Sequence, residues 1–418
     1  MNPVYIISKV LSQIIENEIP FNIAIKNNLK DKNLQGDIRK VVSSNVGCVL
    51  RHYLIFSEII KNRFEEISPD SKIAIMVYLA NSLFVKKIAE EDIKEFLNAE
   101  IKDVEIQVIV DFVKEYEGGK QLIPDSYQPN SLEFLSLRYN TPLWLVKMWK
   151  KHYGPHLCIK ILRANSKSAE NFCRINFSGN KEEILSDENF TEVPEDDFFV
   201  NYVGKAPLKE NNFLKEAKIF PFKKSLKLVF DKVDLDPLKG IAVYSGFANN
   251  YFLELLARNG QNLSFDLVVG SPQAYFEAKK NLNLYKLSKV NLFEESKASI
   301  ETCLSRKYHT FILSPINSNF SLLRETPDYF LRFKPEMFDE LIAKELDLLN
   351  QADAFVEDDG EIVYIIPTIS YKESHGVVEK FLLGHDEYSL LEEKQFLPCD
   401  SYNSSLYFAI LRKKIKND

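Results

Sequence analysis

The spacing of apolar residues divides the chain into three regions. In residues 1–116, segments such as VYIISKVLSQII and SKIAIMVYLANSLFV place apolar residues at the i, i+3, i+4 and i+7 positions of an amphipathic helix. The second of these is expected to begin near Asp70 or Ser71, since either residue is a suitable N-cap. The first region is therefore predicted to be a helical bundle. The segment GGKQLIPDSYQPN, residues 118–130, predicts a linker after it.

The second region, residues 131–220, has a mixed pattern. TPLWLVKMWKKHYG predicts a helix with Thr141 as its N-cap and Pro142 at its first helical position, and Gly154 is expected to end it. A second short helix is expected in PHLCIKILRANS. The segments NFCRINFSG, NFTEV and FFVNYVG resemble short strands. This region is therefore predicted to be a small α+β domain.

The third region alternates strands with helices. GIAVYSG, LSFDLVVG, YHTFILSP and GEIVYIIPTIS are strand-like, helical segments follow them, and SSLYFAILRKK closes the chain. This alternation predicts an α/β fold with a parallel, doubly wound sheet that binds ligands at the carboxyl ends of its strands. We expect three domains, residues 1–125, 131–220 and 221–418.

Composition narrows the class of protein. Hydrophobic residues make up 45% and charged residues 27% of the 418, which is typical of a globular protein. No apolar run approaches a membrane span, and the N-terminus does not resemble a signal peptide. The five cysteines and six histidines are scattered, which argues against a disulfide framework or a metal site. The acidic EDDGE, residues 357–361, is interpreted as a turn before a strand. We expect a cytoplasmic protein without a metal.

One basic stretch stands out in a chain whose net charge is −7. Between Phe134 and Ser168 there is no acidic residue, while both tryptophans of the chain, Trp144 and Trp149, lie there. The seven basic residues of the stretch are Arg138, Lys147, Lys150, Lys151, Lys160, Arg163 and Lys167. A polyanion-binding surface and a helix whose solvated face is basic both explain the pattern, and both interpretations stay open.

The same stretch carries a resemblance to a known family. The matching positions are Asn140, Pro142, Trp144 and Leu145, then Ala164 and Asn165, then Arg174, Ile175 and Asn176. These resemble the Ser/Asn-x-Pro-x-Trp-Leu, Leu-x-Ala-Asn-Asn and Arg-Val-Asn elements of the Sun/Fmu-type RNA cytosine-5 methyltransferases, which act on 16S ribosomal RNA. VGCVLRHY (46–53), residues 326–349 and residues 360–383 continue the resemblance over nearly the whole chain.

The resemblance implies a fold, a cofactor and a reaction. It implies a Rossmann-like class I methyltransferase domain at the C-terminus and a NusB-like RNA-binding domain at the N-terminus. In the family, one cysteine thiolate adds to C6 of cytosine, C5 then takes the methyl group of S-adenosylmethionine, and a second cysteine helps to release the product.

This chain departs from the family at both cysteines. Pro315-Ile316-Asn317-Ser318 aligns with the family's Pro-Cys-Ser-Gly turn, so Ile316 stands at the first cysteine position. Pro367 stands at the second, in the family's Thr-Cys-Ser element. Neither side chain can attack a base or transfer a proton. Cys303 precedes the end of its strand by about ten residues and is not expected to substitute.

The segment that resembles the cofactor loop has also changed. Between Ser245-Gly246 and Tyr251, Asn249 and Asn250 replace the two glycines at the tip of the family's loop. Gly270 replaces the acid that binds the ribose hydroxyls, and Ser314 replaces the aspartate before the first cysteine turn. Asparagine tolerates the left-handed backbone, so the turn is expected to survive while cofactor affinity falls.

We therefore predict an RNA-binding, catalytically inactive member of this family, with ribosomal RNA as the partner. The degenerate cofactor loop comprises Ser245, Gly246, Asn249, Asn250, Gly270 and Ser314, and the predicted RNA contacts are Trp144, Lys147, Lys150, Lys151, Arg163, Asn165 and Arg174. Two alternatives stay open: an active methyltransferase with a rearranged site, and an assembly factor that binds proteins and has no RNA role.

Overall fold

The computed structural model describes residues 2–29, 36–167, 170–247, 251–260, 263–295, 299–402 and 404–415. The chain forms two compact units. The first comprises residues 1–167 together with residues 322–335, and the second comprises residues 168–321 and 336–418. Among the described residues, we find no helix whose length and apolar content suffice for a bilayer span.

The first unit is helical, as the apolar periodicity predicts. Its helices are α1 (Pro3–Ile15), α2 (Phe21–Leu29), α3 (Gly36–Arg51), α4 (Tyr53–Arg63), α5 (Pro69–Ala80), α6 (Glu90–Glu100), α7 (Ile106–Glu117), α8 (Leu132–Arg138) and α9 (Leu143–Asn165). The segment 322–335 adds a short helix, Tyr329–Arg332, which is α16 in chain order. Helix α5 is buried along nearly its whole length because α1, α3, α4 and α7 pack around it.

Two helix starts differ from the sequence-based expectation. Ser68, and not Asp70 or Ser71, is the N-cap of α5: its hydroxyl accepts a hydrogen bond from the Ser71 amide at 3.2 Å, and proline follows it directly. Helix α9 begins one residue late, with Pro142 at the N-cap position. The predicted break at Gly154 is confirmed, since this glycine has φ 74° and ψ 168° and separates two helical segments.

The second unit contains two sheets. An antiparallel sheet has the strand order β2-β3-β1-β4, formed by β1 (Phe172–Ile175), β2 (Phe190–Glu192), β3 (Phe199–Tyr202) and β4 (Ile219–Pro221). Two short helices, α10 (Lys181–Leu185) and α11 (Asn212–Lys215), lie between these strands, and α12 (Lys224–Phe230) follows them. The predicted α+β region, residues 131–220, contains these elements together with α8 and α9, which belong to the first unit.

The larger sheet has seven strands in the order β10-β11-β9-β8-β5-β6-β7. The strands are β5 (Ile241–Ser245), β6 (Phe265–Val269), β7 (Val290–Glu294), β8 (Tyr308–Ser314), β9 (Val356–Ile366), β10 (Tyr388–Phe396) and β11 (Leu406–Lys413). The remaining helices are α13 (Phe252–Asn259), α14 (Pro272–Leu284), α15 (Ile300–Cys303), α17 (Met337–Asp353) and α18 (His375–Gly384). Strands β5 to β9 pair in parallel, whereas β11 is antiparallel to both of its neighbours. The predicted α/β fold is confirmed.

Candidate functional site at the carboxyl ends of the parallel strands

Parallel pairing brings the predicted cofactor-loop positions together at one edge of the larger sheet. Ser245 ends β5 and is in register with Ser314, which ends the neighbouring strand β8. Gly270 follows β6 on the other side of β5, and Pro367 follows β9 on the other side of β8. In doubly wound α/β proteins, ligands bind at this carboxyl edge of the sheet.

Gly246 lies in direct contact with the backbone at the first cysteine position. Its amide donates a hydrogen bond to the Ser314 carbonyl at 2.8 Å. A Cβ atom at residue 246 would lie only 2.4 Å from the backbone nitrogen of Ile316, closer than any real contact. Only glycine fits here, because the two strand-end segments touch where a side chain would be.

Gly270 is covered by the side chain of Tyr244. A Cβ atom at residue 270 would lie 3.0 Å from the Tyr244 hydroxyl and 3.1 Å from the Cα atom of Gly246. The Tyr244 ring is buried, and its hydroxyl donates a hydrogen bond to the Glu295 carboxylate at 2.5 Å. Burial and this carboxylate both raise the pKa of the Tyr244 phenol, so it stays a neutral donor. A side chain at residue 270 would therefore meet Tyr244 and Gly246 at close range.

Tyr251, which follows the loop, is also turned inward. It is buried, its hydroxyl forms a hydrogen bond with Ser314, and burial raises the pKa of its phenol. Asn249 and Asn250, two of the predicted cofactor-loop residues, lie outside the described residues. Ser245 is buried, and its hydroxyl donates to the Phe247 carbonyl at 2.8 Å.

Ile316 and Pro367, which the sequence aligns with the family's two cysteines, carry no reactive group. The Ile316 side chain is about a third exposed. Pro367 precedes a tight turn, and its carbonyl accepts a hydrogen bond from the Ser321 amide at 3.1 Å. Cys303 lies at the end of α15, where burial raises the pKa of its thiol, and none of the five cysteines forms a disulfide. A nucleophilic thiolate is therefore not supplied from these positions.

A buried polar cluster ties these two turns together, and the sequence analysis missed it. Glu373 accepts hydrogen bonds from the Ser318 amide at 2.5 Å, from the Ser318 hydroxyl at 2.6 Å and from the Thr368 hydroxyl at 3.2 Å. Glu345 of α17 lies beside it and is fully buried. One signal was available: Glu345 is on the apolar stripe of α17, with Ile342 and Leu349 three and four residues away.

The predicted RNA-contacting lysines lie on exposed faces of α9. Lys147, Lys150 and Lys151 occupy one helical face before the kink, at i, i+3 and i+4 spacing, and all three are exposed. Arg163 is exposed after the kink, as are Lys160 and Lys167. Within the described part of the chain these cations form no salt bridge. Trp149 is fully buried, and Trp144 is half-buried with its ring centroid 6.2 Å from that of Phe333.

Arg174, one of the predicted RNA contacts, is buried in the second unit. Its Nε donates to the Glu254 carboxylate at 3.0 Å, and both side chains are buried. Its guanidinium also donates to the Ile175 carbonyl at 2.9 Å. The charge of Arg174 is thus used inside the protein. Asn165 is half-buried, and its amide has no hydrogen-bond partner among the described residues.

One group of side chains has the composition of a metal site. Asp353, His385 and Glu387 each offer one ligand atom, and these atoms lie within 4.8 Å of one another. However, the Asp353 carboxylate already accepts hydrogen bonds from Lys413 at 2.6 Å and from the Tyr388 hydroxyl at 2.9 Å. Because an ammonium neutralises this carboxylate, the group is interpreted as an ion-pair network and not as a metal centre.

Known proteins are similar to the chain in sequence and in fold. No family model matches the chain. The probable ribosomal RNA small subunit methyltransferase B of Bacillus subtilis (strain 168) is 20% identical over 409 residues, which covers 91% of this chain and 88% of that protein.

Solved structures share the fold. PH0851 covers 98% of this chain and 99% of its own, with a TM-score of 0.77 at 15% identity. NSun6 from Pyrococcus horikoshii, solved with SFG, covers 66% of this chain and 99% of its own, with a TM-score of 0.57 at 12% identity. The chain is thus similar in sequence to the Bacillus subtilis methyltransferase, and it shares its fold with these two solved structures.

Proposed function

We propose that this protein binds RNA and does not catalyse methyl transfer. The observation that carries the proposal is the packing of protein atoms over the strand ends: Tyr244 covers Gly270, and Gly246 touches the backbone of Ile316. These are the positions at which the resemblance places the cofactor and the first cysteine. The basic face of α9 supports the RNA-binding part of the proposal.

The residues at these strand ends do not fit S-adenosylmethionine. When bound, this cofactor would supply an electrophilic methyl group, and its ribose hydroxyls need a carboxylate at the end of the second parallel strand. Here that position is Gly270, and the Glu295 carboxylate is occupied by the Tyr244 hydroxyl. A hydrogen bond to a charged group contributes roughly 1.5–3 kcal/mol, so the missing acid alone weakens binding by about one to two orders of magnitude. We assign no catalytic step to the cofactor.

The chemistry of cytosine supports the same conclusion. Carbon C5 becomes nucleophilic only after a thiolate adds to C6, and the thiolate must reach the base. Ile316 and Pro367 offer no such group, while burial raises the pKa of the Cys303 thiol and keeps it protonated. An isoleucine side chain offers a base only an apolar surface.

The basic face of α9 supports a polyanionic partner. Lys147, Lys150 and Lys151 are exposed and have no acidic partner among the described residues, so their charges are available to phosphate groups. The Bacillus subtilis relative is named for ribosomal RNA, and we extend that class of target to this chain. The five cysteines form no disulfide, which supports a reducing compartment, the cytoplasm.

The proposal predicts no methyl transfer. Incubated with radiolabelled S-adenosylmethionine and unmodified small-subunit ribosomal RNA, the protein is expected to incorporate no label above background, because no thiolate activates the base. The Bacillus subtilis relative serves as the positive control in the same reaction. RNA retention on a filter, measured in parallel, should be salt-dependent. Label in the RNA would overturn the inactive assignment, and absent retention would favour an assembly factor without an RNA role.

A further inference from the structure

Two fully buried carboxyl groups meet beneath the turns that follow β8 and β9. Glu345 projects from α17, and Glu373 lies in the segment between β9 and α18. Both side chains have no exposed surface. Burial first, and then the charge of Glu373 and a hydrogen bond with it, raise the pKa of Glu345, which places the two carboxyl groups within interaction distance. Two adjacent buried acids are costly unless a cation or a proton neutralises one of them.

The hydrogen bonds around the pair are unequal. Glu373 accepts from the amide and the hydroxyl of Ser318 and from the hydroxyl of Thr368, and these donors stabilise its ionised form. Glu345 faces the Glu373 carboxyl and the Tyr364 hydroxyl. Within the described residues, neither of its carboxyl oxygens has a partner at normal hydrogen-bond geometry. The Tyr364 hydroxyl instead donates to the Glu373 backbone carbonyl at 3.0 Å. Glu345 is therefore the member of the pair that lacks support for a charge.

No cation compensates the pair within the described residues. The ionisable group of β9 that faces it is Tyr364, whose ring lies 6.5 Å from that of Tyr407 on β11. Lys372 places its ammonium over the ring of Phe338, at 5.9 Å from the centroid. At the start of α18, the His375 ring is within 2.9 Å of the carboxylate of Glu393. The basic groups around the pair are thus directed at other partners.

We propose that Glu345 and Glu373 share one proton and act as a proton-dependent latch between the turns that follow β8 and β9. Glu373 accepts hydrogen bonds from both Ser318 and Thr368. Ser318 lies two positions after Ile316, and Thr368 lies one position after Pro367. A proton on Glu345 leaves a single buried charge, which the hydroxyl groups stabilise. Loss of that proton places two charges in the same buried space, and the turns must separate to hydrate them.

The expected pH dependence follows from the direction of the shift. Burial, and then the charge of Glu373, raise the pKa of Glu345 well above its ordinary value. Above a pH of about 4.3, the ordinary pKa of a glutamate, Glu345 keeps its proton in the folded protein and loses it in the unfolded chain. Between that pH and the pKa of Glu345 in the folded protein, each rise of one pH unit therefore increases the unfolding equilibrium constant by up to tenfold. The protein becomes less stable as the pH rises.

The test compares chemical unfolding of the wild type and Glu345→Gln between pH 5 and pH 9. Glutamine keeps the shape and offers an amide donor to Glu373, so the variant should lose this one-proton dependence. In the wild type alone, alkaline pH should also accelerate amide hydrogen exchange in residues 315–320 and 366–374, after correction for the intrinsic rate. Glu340→Gln is the control, because Glu340 lies on the same helix and is exposed.

Three results would overturn the proposal of a proton-dependent latch. One is unfolding curves of the wild type and Glu345→Gln that stay parallel across the pH range. Another is stabilisation of the wild type by calcium at alkaline pH that Glu345→Gln lacks, since a metal ion and not a proton would then neutralise the pair. The third needs no variant: infrared spectroscopy of the wild type at pH 7 should show the carbonyl stretch of a protonated, buried carboxylic acid, and its absence would contradict the proposal.

Discussion

Reversing the charges of Lys147, Lys150 and Lys151 to glutamate is expected to weaken RNA binding by about 100-fold at about 0.1 M salt. These lysines form one exposed face of α9 and have no acidic partner among the described residues, so each can release a counterion from the phosphate backbone. Filter binding at several salt concentrations gives the number of phosphate contacts. The slope of log affinity against log salt should become shallower by about 2 to 3 units.

Three lysines of the second unit provide the matched control. Lys279, Lys280 and Lys286 are also exposed and carry the same total charge. If RNA binding reflected only the net charge of the protein, reversing either set would weaken it equally. Equal losses would therefore remove the assignment of the RNA contact to α9, as would an unchanged affinity after reversal of the α9 lysines.

Replacing Glu254 by glutamine is expected to lower the free energy of unfolding by about 3–5 kcal/mol. The substitution leaves the Arg174 guanidinium buried without an opposite charge, and the desolvation of that charge is then uncompensated. Chemical denaturation measures the change. Lys239→Gln is the control, because its ion pair with Asp234 is exposed and should contribute no more than about 1 kcal/mol.

Substitutions in the Arg174–Glu254 ion pair distinguish a structural role of Arg174 from an RNA-binding role. If its charge serves the core, as the structure places it, Arg174→Gln should destabilise the protein and leave RNA affinity unchanged when binding is measured well below the unfolding transition. A loss of RNA affinity in the folded variant would instead restore Arg174 to the RNA-binding surface. The double replacement Arg174→Met with Glu254→Leu should recover most of the lost stability, because no unpaired charge remains.

The hydrophobic pattern predicts the central strands of the larger sheet better than its edge strands. Strands β5, β6 and β8 are predicted because they are continuous apolar runs, as a strand covered on both faces requires. Strands β7 and β10 are absent from the prediction because they lie at the two edges of the sheet, where most of β10 is partly exposed and Lys394 is exposed. Such strands depend on pairing with a neighbour, which a local pattern does not reveal.

The departures from the family's pattern can be read from the sequence, whereas the contacts that surround these positions in the fold cannot. Ile316, Pro367 and Gly270 are visible as departures from the family's pattern. The contact between Tyr244 and Glu295 depends on β6 lying beside β5 and β7, so it appears only once the sheet is assembled. The buried pair of acids joins α17 to the segment after β9 for the same reason.

Calorimetric titration with S-adenosylmethionine tests the central claim most directly. The account predicts no saturable heat at cofactor concentrations up to about 1 mM, because a dissociation constant above this corresponds to less than about 4 kcal/mol of binding free energy. A methyltransferase with established S-adenosylmethionine binding, titrated in the same buffer, is the positive control. Saturable binding with a micromolar dissociation constant would contradict the account, since it would require an open cofactor site where Tyr244 and Gly246 are packed.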